Sequence, residues 1–480
     1  MAQPLGVRLE GGSHVFFPRV IEAVAGDGQA DGADDLAAGI EERRAQPYGS
    51  LHALALRKGR DHSARLPIPR IFPGCGTIPE NRYRPHGLPE RSSSYHRRLT
   101  PNPGVRRRLP RPLFGYVSGA TENNVSLRAN RLQFDVHAWV TRAMVNVAKR
   151  DQSASLFGRT YQSPFGIAPM GICALTAYRG DLMLSRAAAD AGIPMVLSSS
   201  SLIRLEDVAE QAPGTWFQSY LPRGEQEAAG LFQRLRDSRY EVLVITVDSA
   251  VVPNRENNLR NGFKTPLRPN LSLLYQGVTH PRWACGTFLR TLLRHGMPYF
   301  ENASDKRGAP LIARDVTRDF SGREHLDWDT LKFVRKQWTG PLVLKGILDP
   351  EDARKASAAG VDGIIVSNHG GRQLDHTVAP LQVLPEIADA ARNMTVMADS
   401  GFRRGTDVLK ALALGAQFVF VGRPFNYAAA LAGYDGVAHA IALLRAEIHA
   451  DMGLLGINRL QELNPARLRP GLVRSAFQAS

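Results

Sequence analysis

PLVLKGILDPEDARKASAAGVDGIIVSNHGG, residues 341–371, holds the repeat from which the rest of the chain can be read. An apolar run, PLVLK, is followed by DPEDARKASAAG, with acidic residues in its opening turn and a closing glycine, and then by a second apolar run, GIIVS. Acidic side chains complement the positive end of a helix and glycine terminates one, so the pattern predicts strand, helix, strand. Working outward, the same texture recurs. FGIAP (165–169), PMVLS (194–198), TWFQSY (215–220) and VLVITV (242–247) come before it, and MTVMA (394–398) and FVFVG (418–422) after it. Amphipathic stretches such as RGDLMLSRAAADAG and RGTDVLKALALG lie between. Eight β-branched runs alternating with helical patterns predict a parallel sheet closed as a (β/α)8 barrel over residues 101–480. One gap of roughly a hundred residues after VLVITV predicts an insertion, 257–325, behind the fourth strand.

Bulk composition narrows the class. The chain has 480 residues, 43% of them hydrophobic, with no unbroken apolar run long enough to span a bilayer. Its start, MAQPLGVRLEGG, lacks the basic and apolar regions of a secretory signal. Cys75, Cys173 and Cys285 are far apart and form no CxxC pair, so neither a metal site nor a disulfide framework is expected, and a reducing, cytoplasmic setting is. The net charge of +15 is unevenly spread: residues 51–111 carry fourteen Lys or Arg against three Asp or Glu. That block is rich in Pro and Gly and has no helical or strand period, so residues 1–100 are expected to form a disordered basic extension. Without aromatic interleaving or a binding motif, no nucleic-acid partner is expected.

A barrel of this kind gathers its functional groups at the carboxyl ends of its strands. The letters there are Pro169 and Gly171, Ser198, Gln218 and Tyr220, Thr246 and Asp248, Lys345, Ser367 with His369 and Arg372, Asp399, and Gly422 with Arg423. Polar or special residues at all eight ends are not explained by core packing. Gly370 and Gly371 let the chain turn sharply after GIIVS, which presents His369 and Arg372 to one cavity.

These types suit one chemistry. Arg255 and Arg372 offer planar forks for a carboxylate. Tyr116 and Tyr220 are placed to hydrogen-bond a hydroxyl or carboxylate, or are ordinary half-buried tyrosines. His369 is a general base that Asp248 could orient. Removing two electrons requires a redox cofactor, and Lys345 would stabilise negative charge on a reduced flavin. ADSGFRRGTD (398–407) and the segment after FVFVG supply Gly401, Arg403 and Arg423 where barrels hold a phosphate, so FMN is expected. No GxGxxG follows a first strand, which counts against a dinucleotide site.

Taken together, SNHGGRQLD (367–375) and LPRPLFGY (109–116) make the chain similar to the FMN-dependent α-hydroxy acid dehydrogenases and oxidases, a resemblance that runs from about residue 109 to the end. The resemblance implies that Tyr116, Tyr220, Arg255, His369 and Arg372 handle a small anionic 2-hydroxy acid, with Asp248 supporting His369. It gives flavin contacts to Pro169, Met170, Gly171, Ser198, Gln218, Thr246, Lys345 and Ser367, and phosphate contacts to Asp399, Gly401, Arg403, Gly422 and Arg423. Gly171, where oxidases of the family tend to carry Ala, points to a dehydrogenase that passes electrons to a quinone or cytochrome; an oxidase making hydrogen peroxide and a non-catalytic flavin barrel are the alternatives. SSSL after Ser198 carries no bulky aromatic, which leaves room for an aromatic or branched substrate. VSGATEN after Tyr116 departs from the family pattern and is expected to alter loop packing only. A homotetramer is also implied.

Within the insertion, residues 257–300 contain six Lys or Arg, no Asp or Glu, and six aromatic residues. WACGTFLRTLLRHGMPYF (283–300) is expected to form one amphipathic helix suited to an anionic membrane surface, with a lid or an oligomer contact as the alternatives.

Overall fold

A computed structural model describes residues 103–263, 271–312, 323–324 and 326–471. The expected extension, 1–100, and part of the insertion lie outside the described residues. All eight expected strands are present: β1 Phe165–Ile167, β2 Val196–Ser198, β3 Trp216–Ser219, β4 Leu243–Thr246, β5 Leu342–Ile347, β6 Gly363–Val366, β7 Thr395–Ala398 and β8 Phe418–Val421. Every pairing in the sheet is parallel, and the order runs β1-β8-β7-β6-β5-β4-β3-β2. A parallel bridge between Ile167 and Met195, with Ile167 N donating to Pro194 O at 2.9 Å, joins β1 to β2 and closes the barrel.

Helices follow the strands as the amphipathic patterns require: α1 Gly180–Asp190, α2 Leu205–Gln211, α3 Glu225–Asp237, α4 Trp328–Gln337, α5 Pro350–Ala358, α6 Pro380–Ala390, α7 Gly405–Ala413 and α8 Arg423–Leu455. Asp349 caps α5 by accepting from Glu351 N, which satisfies an end N–H that has no partner within the helix. Among the described residues α8 alone has the length and apolarity of a membrane span, but it packs on α1, is half buried over its most apolar stretch and breaks at Ala432–Gly433. It is a wall of the barrel.

Side chains alternate along a strand, so every second residue faces inward. Val196, Trp216, Val244, Val343, Ile365 and Met397 form one apolar layer inside the barrel with Phe418 and Phe420. The next inward position on the same six strands, two residues later, is Ser198, Gln218, Thr246, Lys345, Ser367 and Asp399, all buried. Inward alternation thus stacks a polar layer on a dry one. A two-stranded hairpin, Ala154–Leu156 with Arg159–Tyr161, joins the dry layer through Leu156 and Tyr161.

In the insertion, helix Leu271–Thr279 precedes a second helical run from Pro281 to His295, whose middle, Ala284–Leu289, is π-helical. The single helix expected over 283–300 therefore starts two residues earlier and ends at Gly296, whose φ of 72° only glycine adopts without strain.

Candidate active site

β6 delivers the turn that organises the site. After Ser367 and Asn368, His369, Gly370 and Gly371 have φ of 59°, 68° and 74°, three left-handed residues in succession. A Cβ on Gly370 would lie 2.8 Å from Arg423 Nη1, and one on Gly371 would lie 2.7 Å from Leu127 N, so both positions require glycine. The left-handed backbone at His369, costly for a residue with a side chain, is held by His369 N donating to Ser367 Oγ at 3.0 Å.

The imidazole is fixed on both sides. Nδ1 lies 2.9 Å from Asp248 Oδ1 at the end of β4, and Nε2 lies 3.4 Å from the Tyr220 hydroxyl. Nδ1 beside a carboxylate is the protonated nitrogen, which leaves the Nε2 lone pair facing the cavity. Burial pushes the His369 pKa below its ordinary value, with the Asp248 carboxylate opposing. For Asp248 burial acts upward, but His369 and Lys345 outweigh it and hold the carboxyl below its usual range. Both directions favour a neutral imidazole against an ionised aspartate. Burial also raises the Tyr220 phenol.

Cations converge on the same space. Burial and Arg372 lower the Arg255 guanidinium to about 10, a position held by its Nε donating to Arg372 O at 3.0 Å and Nη2 to Gln373 Oε1 at 3.0 Å. Arg372 Nη1 donates to the carbonyls of Tyr116 (2.7 Å) and Gly119 (2.8 Å), while its guanidinium lies 4.8 Å above the Tyr116 ring. Arg423 donates to Val117, Gly119 and Gly370 carbonyls, and burial brings it, like Arg403, to about 10. A further cation, Lys345, is paired: its Nζ stands 3.0 Å from Asp399 and donates to Ser367 Oγ at 2.9 Å. Burial disfavours that ammonium, yet Asp399 and Asp248 more than compensate and raise its pKa.

Together these groups enclose a cavity of about 440 Å³. It is lined by Tyr116, Pro169, Met170, Gly171, Gln218, Tyr220, Thr246, Arg255, Lys345, His369, Arg372, Asp399, Gly401, Arg403, Gly422 and Arg423, all expected from the sequence. Ser198, Asp248 and Ser367 stand one layer back: Ser198 Oγ donates to Gln218 Oε1 at 2.9 Å, Ser367 meets Lys345, and Asp248 meets His369. The residues missed from the sequence act through that layer or through the backbone. Gln373 bridges Arg255 to Asp248 O and Ser249 Oγ. The carbonyls of Tyr116, and of Val117 and Gly119 in the segment expected to affect loop packing alone, hold two guanidinium groups. Carbonyls carry no sequence signal.

The family model described as FMN-dependent dehydrogenase matches residues 105–470. The chain belongs to the FMN-dependent dehydrogenase family. Its relatives include the (S)-mandelate dehydrogenase of Pseudomonas putida, 37% identical over 370 residues that cover 76% of this chain and 91% of that one. An L-lactate dehydrogenase of Xanthomonas euvesicatoria pv. vesicatoria (strain 85-10) is 38% identical over 362 residues, 74% of this chain and 92% of its own. Among solved structures, one described as the monotopic membrane protein (S)-mandelate dehydrogenase superposes with a TM-score of 0.69 at 34% identity, covering 77% of this chain and 97% of that one. A mandelate oxidase with (S)-2-phenylpropionate gives 0.64 at 34% identity, with 77% and 97% covered.

This FMN-dependent dehydrogenase has a cavity suited to its cofactor. Gln218 Nε2 is buried there with no hydrogen-bond partner among the described residues, a donor that an FMN acceptor would satisfy. A Cβ on Gly422 would touch Met170 Sδ at 3.6 Å and Ala168 Cβ at 3.7 Å, so the bare glycine keeps this part of the cavity wall low. Arg403, buried, and Arg423, half-buried, both cationic, with the left-handed backbone of Ser400–Gly401 (φ 79° and 90°) ahead of α7, form a fixed positive region fit for a phosphate.

Proposed function

We propose that this enzyme oxidises an L-2-hydroxy acid of lactate or mandelate type to the 2-oxo acid and passes the electrons to a quinone or cytochrome. The observation that carries the reading is the His369–Asp248 pair facing the same cavity as Arg255 and Arg372. FMN, when bound, supplies the two-electron sink that no side chain offers.

Pro169 to Gly171, Gln218, Thr246 and Lys345 would hold the cofactor's ring, with Ser198 and Ser367 fixing Gln218 and Lys345 from behind. Gly401, Arg403, Gly422 and Arg423 would hold its phosphate. Asp399, paired with Lys345, is better matched to a hydroxyl donor than to a phosphate. Arg255 and Arg372 grip the substrate carboxylate, and desolvation strengthens that grip. Tyr116 and Tyr220 donate to the substrate's oxygens. His369 Nε2 takes a proton from the substrate, and Asp248 stabilises the imidazolium that results. Ser200 lines the cavity where a bulky residue would narrow it, which supports an aromatic or branched substrate.

The insertion supports a peripheral seat on an anionic membrane. Leu271, Leu274, Tyr275 and Val278, at spacings of one helix face, are all exposed, as are Leu289 and Leu293, in a stretch without Asp or Glu. A protein fully soluble at low salt and indifferent to vesicles of phosphatidylglycerol would remove that part.

Anaerobic mixing of the FMN-loaded enzyme with mandelate, lactate and glycolate tests the main reading. The flavin should bleach with mandelate or lactate much faster than with glycolate, and reoxidise faster with decylubiquinone than with air. No bleaching by any of the three would overturn it.

A further inference from the structure

The helical run Pro281–His295 of the insertion is bonded to a connection that continues from the cavity wall. Trp283 Nε1 donates to the carbonyl of Leu175 at 2.7 Å, and its ring stacks on Phe288 with centroids 5.6 Å apart. Further along the same helical run, His295 Nε2 lies 2.8 Å from the Tyr178 hydroxyl, and the Arg290 guanidinium covers the Tyr178 ring at 4.0 Å. Leu175 and Tyr178 belong to the connection between β1 and α1, and that connection begins with Pro169, Met170 and Gly171 on the cavity surface.

Leu175 sits in a helix of only four residues, Cys173–Thr176. Such a turn cannot satisfy its own last carbonyls, and the indole N–H takes one of them from 108 residues away. The rest of the connection is anchored within the barrel: Ile172 N donates to Ser200 O at 3.1 Å, and Ala174 N to Asp181 Oδ2 at 3.0 Å. Ile172 also adopts a left-handed φ of 54°, a conformation that the surroundings must impose on a β-branched residue. The inserted helix thus closes the outer side of a connection whose inner side lines the cavity.

We propose that Trp283 is a positioning residue, which through Leu175 fixes the Pro169–Gly171 wall against FMN. The inference rests on the reading that this wall touches the cofactor. The insertion is then part of the active-site scaffold as well as a surface element.

Trp283→Phe keeps an aromatic ring beside Phe288 while removing the donor and part of the indole's packing area, and Tyr178→Phe keeps the ring beneath Arg290 and removes only the hydroxyl. Measured on the full chain, the FMN dissociation constant of Trp283→Phe should rise about fivefold, the size of one net hydrogen bond, and the flavin midpoint potential should move with it. Tyr178→Phe should shift both the same way by less, which keeps the test open if the Trp283 variant folds poorly. A lowered melting temperature with dissociation constant and potential unchanged in both variants would overturn the proposal and leave Trp283 a structural residue. A wild-type chain that takes up no FMN would overturn this proposal together with the functional reading.

Discussion

The two inward layers of the barrel are built on the same strands, two residues apart, and obey opposite rules. The layer of Val196, Trp216, Val244, Val343, Ile365 and Met397 is apolar. The layer of Ser198, Gln218, Thr246, Lys345, Ser367 and Asp399 is as deeply buried, yet it is made of hydroxyls, an amide and charges. Burial of polar groups is tolerated there where they pair with one another: Lys345 has Asp399 and Ser367, and Gln218 Oε1 has Ser198. Gln218 Nε2 in that layer, and Asp248 Oδ2 beside it, are buried without a hydrogen-bond partner among the described residues. A single strand therefore carries stability in one position and chemistry in the next.

If that division is right, substitutions in the two layers should separate cleanly. The largest effect is expected beyond the polar layer, at the base: His369→Gln should slow anaerobic flavin reduction about 10³- to 10⁴-fold with little change in melting temperature. Lys345→Met should affect both properties, since it leaves the buried Asp399 without its ion-pair partner and with only the Ser400 hydroxyl to donate to it, a cost of about 3–5 kcal/mol in urea unfolding, along with slower reduction. Ile365→Ala, in the dry layer, should cost about 2–5 kcal/mol of stability while the folded fraction keeps its reduction rate. Arg372→Lys keeps the charge but loses the fork, and should weaken substrate binding about tenfold in the concentration dependence of bleaching. Smallest of all, Gly171→Ala would bring a methyl to 3.0 Å from Ser200 Cβ and 3.3 Å from the Tyr116 hydroxyl. It should slow bleaching about two- to fivefold, because those neighbours have to give slightly. A dry-layer variant that loses rate without losing stability would break the comparison.

The strands were legible because β-branched runs and closing glycines are local signals, and the polar layer was legible because a polar residue at the end of an apolar run stands out. The NHGG turn was found that way, and Pro169 to Gly171 as a proline and a glycine at a strand end. Which charge meets which was not: Lys345 and Asp399 stand at the ends of different strands, and nothing local in the sequence pairs them. The carbonyls of 116–119 were invisible because every residue has one, and Gln373 because its role comes from a turn that only the fold creates. The insertion's helix was misjudged in length although Gly296 and Pro298 marked its end. Its bond from Trp283 to Leu175 joins segments that no periodicity relates.

The central claim is that a neutral His369, held by Asp248, accepts the substrate's proton. Stopped-flow reduction of FMN by (S)-mandelate across pH tests it most directly. The imidazole pKa is depressed by burial, so the reactive neutral form prevails above it and the rate should fall as pH drops through a midpoint below the ordinary imidazole value of about 6.5. A rate that stays level into acid, or that rises as the imidazole becomes protonated, would contradict the account.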